Sequence, residues 1–276
     1  MRSKLGSFER FLFVGKTSEA AKASKSPPRP RPRHLQPPPA AASKRKREHL
    51  GETAASAKVG GGGLSPKLGS RPLRLIFVGH NPSEHAWKSG HYYSNPSNRF
   101  WKIVRETGIA PDAHSPEADS TLQETDGIGF IDVGVGHPGT ISSEFSSSDM
   151  ERFSKDFYAC LDDHLRAAGA APRIVAFTGK RQFVELLNAN SKRLGIKKVN
   201  STAIALGVQH LRPRDWPFGK DTQVWVLTST SGASALTNEA RTAPYAALSQ
   251  ELAKIPWPLP EQTKCQGDQG GGTAFL

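Results

Sequence analysis

Short apolar runs alternate with amphipathic segments between residues 74 and 255, and this alternation constrains the fold most strongly. Four runs have the length and flanking residues of buried strands: 74–79, 128–133, 173–177 and 223–227. Helical spacing predicts helices over 98–105, 148–167 and 182–187, with Ser148 and Glu151 as a capping box and a last helix starting near Pro244. Because helices separate the strands, the sheet should be mainly parallel and covered on both faces. We therefore expect an α/β fold, a single three-layer domain over 72–256.

The first 71 residues have a different composition from the rest of the chain. They carry 16 Lys and Arg against 4 Asp and Glu, whereas residues 72–276 carry 21 of each. Segment 20–70 is rich in Pro, Ala, Ser and Gly and cannot bury enough apolar surface to offset the entropy cost of ordering. We expect disordered tails at 1–71 and 257–276. The basic tail favours an acidic partner such as DNA, RNA or an anionic membrane, but a solvated extension that keeps the protein soluble has the same composition.

The remaining sequence signals concern the compartment and the ligands. A basic run at 44–47 (Lys-Arg-Lys-Arg) predicts import into the nucleus, while the Arg- and Ser-containing segment 1–16 leaves targeting to an organelle open. Cys160 and Cys265 match no disulfide, zinc or iron–sulfur spacing, which fits a reducing compartment. No apolar run approaches the roughly 18 residues that a bilayer requires. We expect a monomer with no metal, no cofactor and no membrane partner.

Two polar loops follow predicted strands at the sheet edge where α/β proteins bind ligands. The first reads Gly-His-Asn-Pro-Ser over 79–83, and the second reads Ser-Thr-Ser-Gly-Ala-Ser over 229–234. Taken alone, each loop is typical of an ordinary turn.

The first loop, taken with the segment Gly-His-Tyr-Tyr-Ser-Asn-Pro-Ser-Asn-Arg-Phe-Trp at 90–101, closely resembles the first motif of mismatch-specific uracil/thymine-DNA glycosylases. These enzymes are a branch of the uracil-DNA glycosylase superfamily. The resemblance continues more weakly through 127–130, 177–180 and 207–209 to the loop after 227, and so covers roughly 73–255. It implies a domain that binds double-stranded DNA, flips out a uracil, thymine or modified pyrimidine mispaired with guanine, and cleaves the bond between base and sugar. No lysine stands in the first loop as a Schiff-base nucleophile, so a monofunctional glycosylase of base excision repair is expected.

The resemblance also implies roles for individual residues. Asn81 would be the catalytic residue, because its amide oxygen can hold a water beneath the sugar C1′. Tyr93 would stack on the flipped pyrimidine. The substrate-binding residues would be Gly79, His80, Pro82, Ser83, Tyr93 and Ser229. The DNA-binding residues would be Thr230, Ser231, Gly232, Ala233 and Ser234, together with Lys180.

Two positions depart from the family pattern. Ala233 and its neighbours offer no bulky wedge for the gap that a flipped base leaves in the duplex. His80 replaces a residue that is usually apolar, and it either hydrogen-bonds the base or caps the loop. The altered second loop keeps open a DNA-binding or scaffold protein with weak catalysis, and the neutral domain keeps open an enzyme that acts on free nucleosides.

Overall fold

The computed structural model describes residues 63–139, 145–232 and 235–260. Within them, five strands form one sheet in the order β2-β1-β3-β5-β4. Strands β1, β2, β3 and β5 run parallel, and β4 pairs antiparallel with β5 at one edge. The strand bounds are β1 Leu75–Gly79, β2 Ile128–Asp132, β3 Ile174–Phe177, β4 Gly207–Gln209 and β5 Gln223–Val226. The predicted four strands are confirmed, and the short strand β4 is additional.

Helices cover both faces of this sheet, which confirms the single three-layer α/β domain. Residues of α2 and α6 pack on one face, and residues of α4 and α5 pack on the other. The helix bounds are α1 Glu84–Ser89, α2 Phe100–Glu106, α3 Leu122–Thr125, α4 Ser147–Ala168, α5 Lys180–Asn188 and α6 Asn238–Leu252, with 3-10 turns at Pro116–Ser120 and Ser201–Ala203. No helix among the described residues has the length and apolar character needed to cross a bilayer.

One predicted capping box and one predicted helix start were wrong. The capping box of α4 is formed by Ser146 and Asp149, two residues before the predicted pair, so the helix begins at Ser147. Helix α6 begins at Asn238, where the Thr237 hydroxyl accepts a hydrogen bond from the backbone of the first turn at 3.2 Å, and Pro244 lies inside the helix. In both cases a real side-chain cap lies nearer the N-terminus than the signal used for the prediction.

Packing begins on the N-terminal side of position 72. Leu64 and Leu68 are buried in the core, and Lys67 exchanges backbone hydrogen bonds of 2.8 and 2.9 Å with Phe130 of β2. At the other end, the Trp257 indole donates to the Glu124 carbonyl at 3.0 Å. The remainder of the two predicted tails, 1–62 and 261–276, lies outside the described residues, and their disorder stays a prediction.

Candidate active site

The four parallel strands end at one edge of the sheet, and the segments that follow them enclose a pocket of about 290 Å³. This pocket is lined by ten of the predicted site residues: Gly79, His80, Asn81, Pro82, Ser83, Tyr93, Lys180, Ser229, Thr230 and Ser231. Gly232 does not line it, since its backbone lies against Ser97 instead. Ala233 and Ser234 lie outside the described residues, so their predicted DNA contacts stay predictions.

The Asn81 carboxamide is held in one orientation. Its Nδ2 donates to the carbonyl oxygens of Gly139 at 2.9 Å and Pro82 at 3.1 Å, and its Oδ1 lies 2.7 Å from His80 Nδ1. Because both amide hydrogens are used by carbonyls, the oxygen is defined as the acceptor end. An oxygen with two lone pairs can accept from His80 and from one further donor, such as a water.

The imidazole of His80 is the donor in this contact. Only a hydrogen on Nδ1 can bond to an amide oxygen, so the neutral ring carries its proton there. Burial lowers the pKa of His80 despite the opposing effect of the bond to Asn81, which favours the neutral ring at pH 7. Its Nε2 is buried and has no hydrogen-bond partner among the described residues. The bond to Asn81 gives His80 a partner within the loop, and its contact with a base stays a prediction.

Backbone hydrogen bonds join the first loop to the segment that follows β2. Val133 N donates to Gly79 O at 3.1 Å, Gly134 N to His80 O at 2.8 Å, and Gly139 N to Pro82 O at 2.9 Å. A Cβ on Gly134 would lie only 2.8 Å from that of Asn81, so the glycine permits the close approach of the two segments. The first loop is therefore fixed before any substrate binds.

Asp132 is a pocket residue that the sequence reasoning missed. It ends β2, pairs in register with Gly79 at the end of β1, and is 4% exposed. Burial raises the pKa of its carboxyl group to about 7. A Cβ on Gly79 would overlap the carboxyl oxygen, so this glycine leaves the space that Asp132 occupies. The available signal was an acidic residue at the end of an otherwise apolar strand.

Tyr93 forms one wall of the pocket. One face of its ring stacks on Phe100, with 4.0 Å between centroids, and its hydroxyl lies 3.1 Å from Thr178 Oγ1. Thr178 donates to the Val78 carbonyl at 3.2 Å, so the tyrosine is the donor to Thr178. The backbone of Tyr93 has a φ of 54°, an unfavourable value for a side chain of this size, and such strain occurs often at functional sites.

Comparison with known proteins assigns the family. The sequence pattern of the uracil DNA glycosylase superfamily matches residues 66–253. The chain belongs to this superfamily. The superfamily consists of DNA glycosylases, and the pocket contains Asn81 where the motif resemblance places the catalytic residue.

A similar solved structure has been determined in solution by NMR. It is a candidate uracil DNA glycosylase from Methanosarcina acetivorans, which is 17% identical. The alignment covers 69% of this chain and 97% of that chain, with a TM-score of 0.40.

In this glycosylase-family chain, a buried carboxylate positions the segment that carries Tyr93. Asp119 accepts hydrogen bonds from Lys67 Nζ at 2.7 Å, from His91 Nδ1 at 2.8 Å, and from the backbone N–H of Tyr92 at 2.7 Å. The carboxylate is fully buried, and the Ser120 hydroxyl donates to it as well at 3.1 Å, so hydrogen bonds replace the water that burial removes.

Replacing Asp119 with alanine should lower the free energy of unfolding by about 3–5 kcal/mol, the usual cost of breaking a buried ion pair. Urea titration measures this loss. The matched control is Asp112→Ala, which removes an exposed aspartate and should change stability by no more than about 0.5 kcal/mol. Equal stabilities of the two variants would contradict the positioning role of Asp119.

Several predicted polar side chains also have structural partners. The Ser83 hydroxyl accepts from Ala86 N at 3.1 Å as the N-cap of α1, and the Ser229 hydroxyl accepts from Ser231 N at 3.3 Å. Thr230 is buried, and its carbonyl accepts from Arg99 N at 2.9 Å. These bonds fix the mouth of the pocket. The described residues contain no group of three or more His, Cys, Asp or Glu placed to hold a metal ion.

Proposed function

We propose that this chain is a monofunctional DNA glycosylase that flips a pyrimidine mispaired with guanine out of the duplex and hydrolyses its N-glycosidic bond in base excision repair. The observation that carries the proposal is the position of Asn81 and Asp132. Asn81 follows β1 and Asp132 ends β2, the adjacent parallel strand, and both residues line one pocket with Tyr93. At about 290 Å³, the pocket is at the small end of the range for ligand sites and suits a single base.

Hydrolysis would depend on Asn81. Its oxygen keeps a lone pair beyond the bond to His80, and a water held there would attack C1′ of the sugar. The bond from C1′ to the base breaks, the base leaves with the bonding electrons, and the proton lost by the water balances the charge of the departing base. An amide is not a base at neutral pH, so its contribution is to orient the water. The bonds to His80, Pro82 and Gly139 make this orientation available without reorganisation when the substrate enters.

Recognition of the base would depend on Asp132. A neutral carboxyl group has one O–H donor and one carbonyl acceptor, which match the adjacent O4 acceptor and N3–H donor of uracil or thymine. Its raised pKa keeps a large fraction of the carboxyl neutral near pH 7. The pyrimidine would stack on the face of Tyr93 that Phe100 does not cover.

A DNA-binding protein with weak catalysis is the alternative, and its basis is the small residues at 232–234. The fixed Asn81 amide favours the enzyme, since binding alone does not require this arrangement. We also propose that the protein is nuclear and monomeric and that its basic tail binds phosphate.

The substrate is tested by single-turnover release of uracil, thymine or a 5-modified pyrimidine opposite guanine, and of uracil opposite adenine. A mispaired base costs less to unstack and flip, so G·U should react faster than A·U. Equal rates on G·U and A·U would contradict the preference for a mispaired pyrimidine. Absence of release from every duplex would contradict glycosylase activity.

A further inference from the structure

A second cavity adjoins the active-site pocket. It has a volume of about 660 Å³ and shares Lys180 and Arg181 with the pocket. We call this cavity the basic groove. Its other polar lining residues include Glu185, Asn188, Lys198 and Asn200.

The charge around the basic groove is unlike that of the rest of the domain. Residues 180–201 contain six Lys or Arg and one Glu, whereas the other residues of 72–276 contain 15 Lys or Arg and 20 Asp or Glu. None of the ion pairs formed within the described residues includes a residue from 180–201. The positive charge therefore remains available to an anionic partner.

Hydrogen bonds hold the outer wall of the groove against α5. Asn188 Nδ2 donates to the Val199 carbonyl at 2.9 Å, and Val199 N donates to Asn188 Oδ1 at 2.8 Å. Asn200 Oδ1 accepts from Thr202 N at 3.0 Å and caps the following 3-10 turn. Lys198 is thus carried on a fixed backbone while its side chain is exposed.

We propose that the basic groove binds the phosphate backbone of the DNA strand that carries the flipped nucleotide. This inference rests on the proposed function. A flipped nucleotide remains attached to its strand on both sides, so phosphates must lie at the mouth of the pocket. Lys180 and Arg181 connect this mouth to the groove, and Lys198 lines the groove as well. These three cations against the one Glu185 suit the charge of a phosphate backbone.

The test compares two double variants of the full-length protein that lose the same charge. Lys197→Gln/Lys198→Gln alters the groove segment, and Lys220→Gln/Lys254→Gln alters exposed lysines at the opposite edge of the sheet. Lys220 precedes β5, and the carbonyl next to Lys254 accepts a hydrogen bond at 3.1 Å from Arg74, which precedes β1.

Affinity for an undamaged duplex is measured by fluorescence anisotropy over a range of salt concentrations. Each lost phosphate contact should reduce the slope of log K against log salt by about 0.9, so the groove variant should lose about 1–2 units of slope. Its affinity at about 0.1 M salt should fall by roughly tenfold, while the control keeps the slope of the wild type. Equal slopes and affinities for the two variants would overturn the proposal.

A second measurement locates the contact on the DNA. In a G·U duplex with a non-cleavable 2′-fluoro nucleotide, single phosphates flanking the uracil are replaced by neutral methylphosphonates. Neutralising a contacted phosphate should weaken binding of the wild type but not of the groove variant. Equal losses for both proteins at every position would overturn the proposal. Both experiments measure DNA binding only. A protein that releases no base would contradict the proposed function, whereas the binding results alone test phosphate binding by the basic groove.

Discussion

Asn81→Ala should reduce the single-turnover rate of base release from a G·U duplex by a factor of about a hundred to ten thousand. The substitution removes the oxygen that would hold the water, together with the hydrogen bonds to His80, Pro82 and Gly139. Three such bonds contribute on the order of 1 kcal/mol each, so a folded protein that still binds the duplex is expected. Thermal melting and a binding titration accompany the rate measurement.

Gln209→Ala is the matched control for this variant. Gln209 is buried, and its amide likewise donates to two backbone carbonyls, those of Ala205 at 2.9 Å and Gly207 at 2.8 Å. Its loss should cost similar stability and leave the rate within about threefold of wild type, since it lies outside the pocket. If Asn81→Ala cleaves within about tenfold of wild type, Asn81 is a turn residue and not a catalytic one.

Asp132→Asn should stabilise the folded protein at neutral and alkaline pH. The folded-state pKa of about 7 lies above the ordinary value of 3.8, so the folded protein binds more protons than the unfolded chain and loses stability as pH rises between these values. At about 1.4 kcal/mol per pH unit, the loss reaches about 4 kcal/mol above pH 7. Asparagine does not ionise, so the variant avoids this loss of stability. Urea titrations should show a higher free energy of unfolding for the variant than for wild type at about pH 8 but not at about pH 4. An equal difference between the two proteins at both pH values would contradict the burial of an ionisable carboxyl group.

The same residue predicts the pH dependence of the reaction. Because the neutral carboxyl group would bind the base, the wild-type rate should fall as pH rises through about 7. Asparagine also donates and accepts, so Asp132→Asn should remain active without this fall, whereas Asp132→Leu should lose activity. A wild-type rate that instead rises through pH 7, with an inactive Asn variant, would identify Asp132 as a base that activates water.

The sequence predicted those parts of the site that depend on local pattern. The first loop follows a short apolar run closed by glycine, so the position of Asn81 at the carboxyl edge of the sheet followed from the strand prediction alone. Strand β4 was missed because three residues, of which Val208 is exposed, show no periodicity. The start of α6 was misplaced because proline is a strong local signal and a single threonine cap is a weak one.

Asp132 was missed for a different reason. Its side chain reaches the pocket because β1 and β2 pair in the register that places Gly79 beside it, and this register is a long-range property of the sheet. The burial of Leu64 and the bond from Lys67 to Asp119 are also long-range. The composition of the surrounding tail gives no sign of either contact.

Hydrolysis by a water that Asn81 orients is tested by the products formed when excess protein acts on a duplex with one G·U pair in buffer with EDTA. We expect free uracil and a strand that carries an abasic site, which breaks only after treatment with alkali. We expect no effect of the chelator, because water oriented by Asn81 needs no metal. An intact uracil-containing strand after prolonged incubation would contradict glycosylase activity, and strand breakage without alkali would contradict a monofunctional mechanism.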